Sequence, residues 1–261
     1  MDLGVGGRVC LVMGAGGGIG RAIASSLAAE GASVAGAGRT SEHLADTKDA
    51  MRARGQSFLP VVADLRNHES LDNAVATVED SLGPVSILIN NTGGPPPGPA
   101  AGTSADVWRT QFDAMVTPVF YLTDRVLPGM RSRGWGRIIT STSSGVVAPI
   151  PNLALSNALR AALLGWAKTL AGEVAREGVT VNVVVPGRIS TERVASLDRA
   201  RASREDRSVE QVASASAASI PMGRYGRPEE YGDCVAFLAS QQASYITGSV
   251  VRVDGGMLPN I

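Results

Sequence analysis

The run Val9-Cys10-Leu11-Val12-Met13, followed by Gly14-Ala15-Gly16-Gly17-Gly18-Ile19-Gly20, constrains this chain more than any other segment. The apolar run is too short for a helix and ends in five glycines, after which Ile19, Ile23 and Leu27 recur every fourth position with Arg21, Ser25 and Ala28 between them. The pattern reads as a buried strand, a tight turn and an amphipathic helix that opens at its glycines. A helix N-terminus presents unpaired backbone N–H groups and the positive end of the helix dipole, and residues without Cβ let a pyrophosphate come close. The ligand such a turn suits is a dinucleotide. Gly14, Gly18 and Gly20 fit G-x-x-x-G-x-G, whereas the commoner G-x-G-x-x-G finds no register here. A turn that only packs a strand on a helix is the alternative, in a chain with 31 glycines among 261 residues.

That length suits one large α/β domain or two small ones, and nothing in the sequence marks a boundary. The 24 basic and 24 acidic residues cancel, which argues against nucleic acid or an anionic membrane as a partner. No signal-peptide pattern opens the chain, and every apolar run breaks well before the ~18 residues of a membrane helix, so a cytoplasmic protein is expected. Cys10 and Cys234 read as small apolar residues, and with only His43 and His68 as histidines no metal site is expected.

Short apolar strands recur at Ala32–Gly38, Phe58–Ala63, Val85–Ile89, Arg137–Ser141 and Val179–Val185, with helix-length segments such as Glu42–Arg54 between them. Strict alternation of strand and helix predicts right-handed crossovers and a doubly wound parallel sheet with helices on both faces. Ligands then sit at the carboxyl ends of the strands. Those ends read Asp64-Leu65, Asn90-Asn91-Thr92-Gly93, Ser141–Gly145 and Pro186-Gly187.

With the glycine turn, this ordered series closely resembles the short-chain dehydrogenase/reductases, of the kind that includes 3-oxoacyl-carrier-protein reductases. The resemblance continues through Val181–Gly187, Pro228-Glu229-Glu230, Phe237–Ser240, Tyr245-Ile246-Thr247-Gly248 and Val253-Asp254-Gly255-Gly256, almost end to end. It implies one Rossmann-type dinucleotide-binding domain over residues 1–261, a substrate lid around 190–224, a small-molecule substrate and a homo-oligomer, most plausibly a tetramer. The lid segment varies with substrate among relatives and does not reveal the substrate here.

In the family, the glycine turn, here Gly14, Gly16, Gly17, Gly18, Ile19 and Gly20, holds the pyrophosphate. The acid after the third strand flanks the adenine, at Asp64 followed by Leu65, and the first Asn of the Asn-Asn-Ala-Gly motif lies against the adenosine ribose, at Asn90 with Gly93 closing the motif. The family's Ala is Thr92. The nicotinamide amide is held after Pro186-Gly187, at Ile189 and Thr191. NAD preference normally needs a carboxylate at the end of the second strand, where this chain has Gly38 and then Arg39. A guanidinium pairs with a 2′-phosphate, so NADP(H) is expected over NAD(H), with Arg39 as a solvated loop charge the alternative.

The catalytic pattern departs from the family's Asn, Ser, Tyr and Lys. Ser143 matches the family's Ser, but Ser156 and Arg160 stand at the Tyr and Lys positions, and Met115 stands at the Asn position. Arg makes up 22 of the 24 basic residues, so Arg160 can reflect composition alone. Arg160 shares a helix face with Ser156 and can still hold the nicotinamide ribose, but a guanidinium does not shuttle protons. An aliphatic hydroxyl is a far poorer acid than a phenol of pKa about 10. Met115 reads equally as a core residue. The stiff loop Asn91–Pro99 and Arg188 fall where relatives line the substrate cavity, so Arg160 and Arg188 are expected either to bind an acidic substrate or, for Arg188, to face solvent. The reading is an NADP(H)-dependent oxidoreductase of atypical active site, using Ser143, Ser156 and Arg160 on a carbonyl or alcohol. The alternative is a cofactor-binding homologue without redox activity, as sensor, scaffold or lyase-type enzyme.

Overall fold

The computed structural model describes residues 2–260. Seven parallel strands form one sheet in the order β3-β2-β1-β4-β5-β6-β7. They are β1 (Val9–Met13), β2 (Ser33–Gly38), β3 (Leu59–Val62), β4 (Ile87–Asn90), β5 (Gly136–Ser141), β6 (Val179–Pro186) and β7 (Val250–Val253). The sheet and its flanking helices have the doubly wound form expected, with strand ends shifted by at most two residues.

β7 is absent from the apolar strand pattern for a physical reason. It is a four-residue edge strand, Val-Val-Arg-Val, paired only with β6 and partly exposed along its whole length, so no buried run announces it.

Residues alternate across the pleat. Cys10, Val12, Val34, Ile87, Ile89, Ile139 and Val184 pack under helices α1 (Gly18–Ala29), α2 (Ser41–Arg52) and α9 (Pro228–Leu238). Leu11, Met13, Ala35, Leu88, Ile138, Val181 and Val183 face α3 (His68–Leu82), α5 (Thr117–Ser132) and α6 (Ala154–Val174). A third cluster, Met115, Val116, Val119, Leu155, Leu159 and Leu163, joins α4 (Ala105–Met115), α5 and α6. Helices α7 (Glu192–Glu205) and α8 (Val209–Ala218) make an excursion between β6 and α9. The first strand has neighbours running to both sides, β2 and β4, so a crevice opens above β1 and β4 where the connections diverge.

Close approach sets α1 against α9. A methyl group at Gly232 would lie 2.7 Å from the Ala22 carbonyl oxygen and 2.6 Å from Ser26 Oγ. Beside it, Tyr231 is fully buried and donates to the Val184 carbonyl at 3.1 Å, while its oxygen lies 2.9 Å from Ser141 Oγ. Cys10 and Cys234 are both free thiols, and burial pushes the Cys10 thiol far above its ordinary pKa. No group of His, Cys, Asp and Glu among the described residues could hold a metal. No helix among them is long and apolar enough to cross a membrane.

Candidate active site

The glycine turn is built from backbone constraints. Gly14 and Gly18 have φ of 66° and 51°, in the left-handed region that glycine adopts without strain. A Cβ on Gly20 would lie 2.1 Å from the Gly14 carbonyl oxygen, and one on Gly14 would lie 2.7 Å from the Asn91 carbonyl oxygen. Gly17 has open space where its side chain would be, and as the N-cap of α1 it supplies no side-chain cap. No acidic residue occupies the first turn of α1. The first N–H groups of α1 are therefore free for an anion, which fits a dinucleotide pyrophosphate. Thr47 Oγ1 donates to the Ala15 carbonyl at 3.0 Å, and Arg21 Nη2 donates to the Gly16 carbonyl at 3.2 Å, fixing the turn from α2 and α1.

The other strand ends converge on this turn. Asn91 Nδ2 donates to the Met13 carbonyl at 3.2 Å, and the Thr191 methyl lies 3.4 Å from where a Gly18 Cβ would be. Asn90 is buried, and its Nδ2 donates to Thr123 Oγ1 of α5 at 3.3 Å. Its Oδ1 and Thr92 Oγ1 are buried without a protein partner. Gly187 is packed closely, since a methyl there would lie 2.6 Å from Asp254 Cα. The segment after it is clamped to Gly226, whose N–H donates to the Arg188 carbonyl at 2.9 Å and whose carbonyl accepts from Ser190 N–H at 2.8 Å. Ile189 is buried beneath this bridge. Leu65 packs against the core, and Pro186 ends β6.

Arg39 is exposed just past β2. Asp64 accepts from Arg66 N–H at 3.0 Å and from Arg66 Nη2 at 3.0 Å, and these bonds, with the Arg66 charge and a lesser contribution from Arg39, hold its carboxyl below the usual range. Arg66 was not singled out by the sequence. The available signal was a basic residue two positions after an acid at a strand end, where the side chain returns to its own turn.

The catalytic candidates sit on β5 and α6. Ser143 caps the 3-10 turn Ser144–Val146, and its Oγ accepts from Gly145 N–H at 3.2 Å, leaving its own O–H to donate. Ser156 is buried at 6% exposure on the first turns of α6, and its hydroxyl makes no hydrogen bond to the protein. Next to it, Asn157 holds the loop above: Nδ2 donates to the Ile150 carbonyl at 2.9 Å and Oδ1 accepts from Ile150 N–H at 3.3 Å. Met115 is 2% exposed in the third apolar cluster.

Arg160 is buried at 7% exposure and has no carboxylate partner. Nη1 donates to the Ser141 carbonyl at 3.1 Å, and Nη2 donates to the carbonyls of Thr92 and Gly93 at 3.0 and 3.1 Å. Its Nε–H makes no protein hydrogen bond. Burial, assisted by the nearby Arg193 charge, lowers its pKa to about 10, so it stays charged at neutral pH.

Arg188 is neutralised within the protein while its side chain stays partly exposed. Its Nη1 donates to Asp198 Oδ1 at 2.5 Å, and Tyr225 donates to Asp198 Oδ2 at 2.7 Å. The sequence reading missed Asp198 because its partner lies ten positions upstream, at a spacing no local rule connects. The proline loop does lie beside the site: Gly98 N–H donates to the Asn152 carbonyl at 2.8 Å and its carbonyl accepts from Ala154 N–H at 3.2 Å, at the start of α6.

A crevice at the carboxyl ends of a doubly wound parallel sheet, with an uncapped glycine turn and a Ser on the loop after β5, defines a dinucleotide-binding α/β protein. The chain belongs to the short-chain dehydrogenase/reductase family. Residues 14–258 match the family described as enoyl-(acyl carrier protein) reductase. It is 37% identical over 253 residues to the 3-oxoacyl-[acyl-carrier-protein] reductase FabG of Escherichia coli, covering 96% of this chain and 97% of that one. Among solved structures, it resembles L-sorbose reductase from Gluconobacter frateurii complexed with NADPH and L-sorbose, with TM-score 0.93, 32% identity and full coverage of both chains. It also resembles an actinorhodin polyketide ketoreductase with NADPH, with TM-score 0.92 and 34% identity over 96% of this chain and 97% of the other.

Proposed function

We propose that this protein is an NADP(H)-dependent oxidoreductase of atypical active site that interconverts a carbonyl and an alcohol on a small molecule. The observation that carries the reading is the uncapped α1 N-terminus, held open by Gly14, Gly17, Gly18 and Gly20, with Asn91 and Thr191 drawn against the same turn. The Gly18–Ile19–Gly20 N–H groups take the pyrophosphate, Asp64, Leu65 and Asn90 line the adenosine, and Ile189 and Thr191 hold the nicotinamide amide. Arg39 supplies the charge for a 2′-phosphate at a strand end without a carboxylate, and Arg66 neutralises Asp64. The relatives solved with NADPH support the same cofactor.

NADPH, when bound, supplies hydride to a carbonyl carbon. The free Ser143 and Ser156 hydroxyls donate hydrogen bonds to the carbonyl oxygen, and Arg160 stands beneath as a fixed cation with Nε–H and one Nη1–H left for the ribose. Neither Ser156 nor Arg160 is an effective proton carrier at neutral pH, so the proton reaches the oxygen from water, and reduction of ordinary ketones is slow. The same residues motivate a second reading, a cofactor-binding homologue without redox chemistry, since three of the five Arg160 N–H groups are engaged by backbone carbonyls. Residues 190–224 serve as the substrate lid of a single cytoplasmic dinucleotide-binding domain, and the chain assembles as a tetramer.

Fluorescence titration with NADPH and NADH, followed by a carbonyl screen, tests the assignment. Tighter binding of NADPH with turnover of some carbonyl is expected. NADPH binding with no turnover of any carbonyl selects the second reading, and failure to bind either cofactor refutes both.

A further inference from the structure

Among the described residues, Arg160 and Arg193 are neighbouring cations beside the crevice, and neither pairs with a carboxylate. Both hold the same short turn. Arg160 takes the Thr92 and Gly93 carbonyls, and Arg193 Nη2, from the first turn of α7, donates to the Pro95 carbonyl at 3.0 Å. Between them Gly94 gives the Arg193 guanidinium a surface to lie on, since a methyl there would be 2.7, 3.0 and 3.2 Å from its Nη2, Cζ and Nε. The acids nearest in sequence are engaged elsewhere: Glu192 pairs with Arg199, and Asp198 pairs with Arg188. Arg193 keeps an exposed face and carries no ion pair, and Arg160 keeps its Nε–H. Carbonyl oxygens solvate two neighbouring like charges without cancelling them, and an incoming anion is the group that would.

We propose that Arg193, with Arg160 behind it, anchors a substrate that carries a carboxylate, so that the reacting compound is an oxo acid or hydroxy acid rather than a neutral ketone. This deepens the oxidoreductase reading and rests on it. The reduction balances as carbonyl plus NADPH and a proton giving alcohol plus NADP, and the carboxylate takes no part in it. The one rival source of the same chemistry is a phosphate of the cofactor itself, because Arg193 follows Thr191 by two residues.

The test uses pyruvate, acetoacetate, levulinate and benzoylformate, each paired with its methyl ester, and measures thermal stabilisation of the full chain at saturating NADPH together with NADPH binding alone. At least one acid is expected to bind more tightly than its ester. Arg193→Gln should raise that acid's Kd by about tenfold, with the NADPH Kd moving less than about twofold. Gly94→Ala should weaken the acid in the same direction by displacing the guanidinium while keeping its charge, and Arg193→Lys should recover part of the loss. A wild-type protein that binds NADPH but favours no acid over its ester overturns the proposal and leaves the oxidoreductase reading standing. Parallel loss of NADPH and acid binding in Arg193→Gln reassigns Arg193 to a cofactor phosphate and also overturns it. Failure of the wild-type protein to bind NADPH removes the underlying reading as well.

Discussion

Arg188 and Asp198 form a half-buried ion pair that joins the exit of β6 to the middle of α7, with the Asp198 side chain 3% exposed and the second carboxylate oxygen accepting from Tyr225. The pair fixes how α7 lies over the crevice. Asp198→Asn should destabilise the fold by about 2–3 kcal/mol, less than for a fully buried pair because the Arg188 side chain is 27% exposed. Urea unfolding measures the loss, and hydrogen exchange should show opening concentrated in residues 192–218. An unchanged exchange pattern there would mean α7 is held by its apolar contacts.

Arg39→Ala should weaken NADPH by about tenfold or more, the scale of one charge-assisted phosphate contact, while NADH changes little. Fluorescence titration of both cofactors decides it, and equal losses would assign Arg39 a general role in the loop.

Arg160 should contribute no ionisation to any pH profile near neutrality. Its pKa, lowered by burial to about 10 from the model-compound 12.5, means the folded chain releases that proton before the unfolded chain does as pH rises. The burial cost is therefore constant below about pH 10 and relieved only above it. In Arg160→Lys the same burial acts on a group of ordinary pKa about 10.4 and drives it toward neutrality, so NADPH binding should gain an alkaline limb. Superimposable profiles for the two proteins would show that position 160 is better hydrated than its exposure implies.

The chemistry at Ser156 separates a worn site from a specialised one. If the site is a degraded form of the ordinary arrangement, Met115→Asn, Ser156→Tyr and Arg160→Lys together should create measurable ketone reduction. If it is specialised, the triple change should abolish the native activity and Ser156→Ala alone should reduce it strongly. Brisk reduction of simple ketones that Ser156→Ala leaves untouched would place the proton donor elsewhere.

Light scattering should find an oligomer at micromolar concentration. The Phe112, Phe120 and Trp166 rings pack in sequence on α4, α5 and α6, with centroids 6.5 and 5.0 Å apart, and Phe112 is 37% exposed, an apolar edge suited to a symmetric contact. A monomer would contradict this.

Strands were legible because buried parallel strands are short apolar runs, and the crevice was legible because its residues sit immediately after those runs. What the sequence hid is where the guanidiniums go. With Arg so frequent, residue type does not separate Arg188, neutralised by an acid on α7, from Arg193, lying open on Gly94. The acceptors of Arg160 are main-chain oxygens from two different strand ends, and carbonyls leave no trace in residue identity. Tyr231 was likewise concealed, since it directly follows the familiar Pro228-Glu229-Glu230 and its partner Ser141 lies far away in sequence on β5.

Helix α9 touches the floor of both halves of the crevice through consecutive residues. Gly232 sets the distance at which α1 lies, and hence the direction in which its free N–H groups point, while the Tyr231 hydroxyl lies against Ser141, whose carbonyl holds Arg160. A single added methyl at 232 would thus be felt as a rotation of the phosphate cradle and as a shift of the cation across from it. One helix thus acts as the common foundation on which the alignment of the two halves depends.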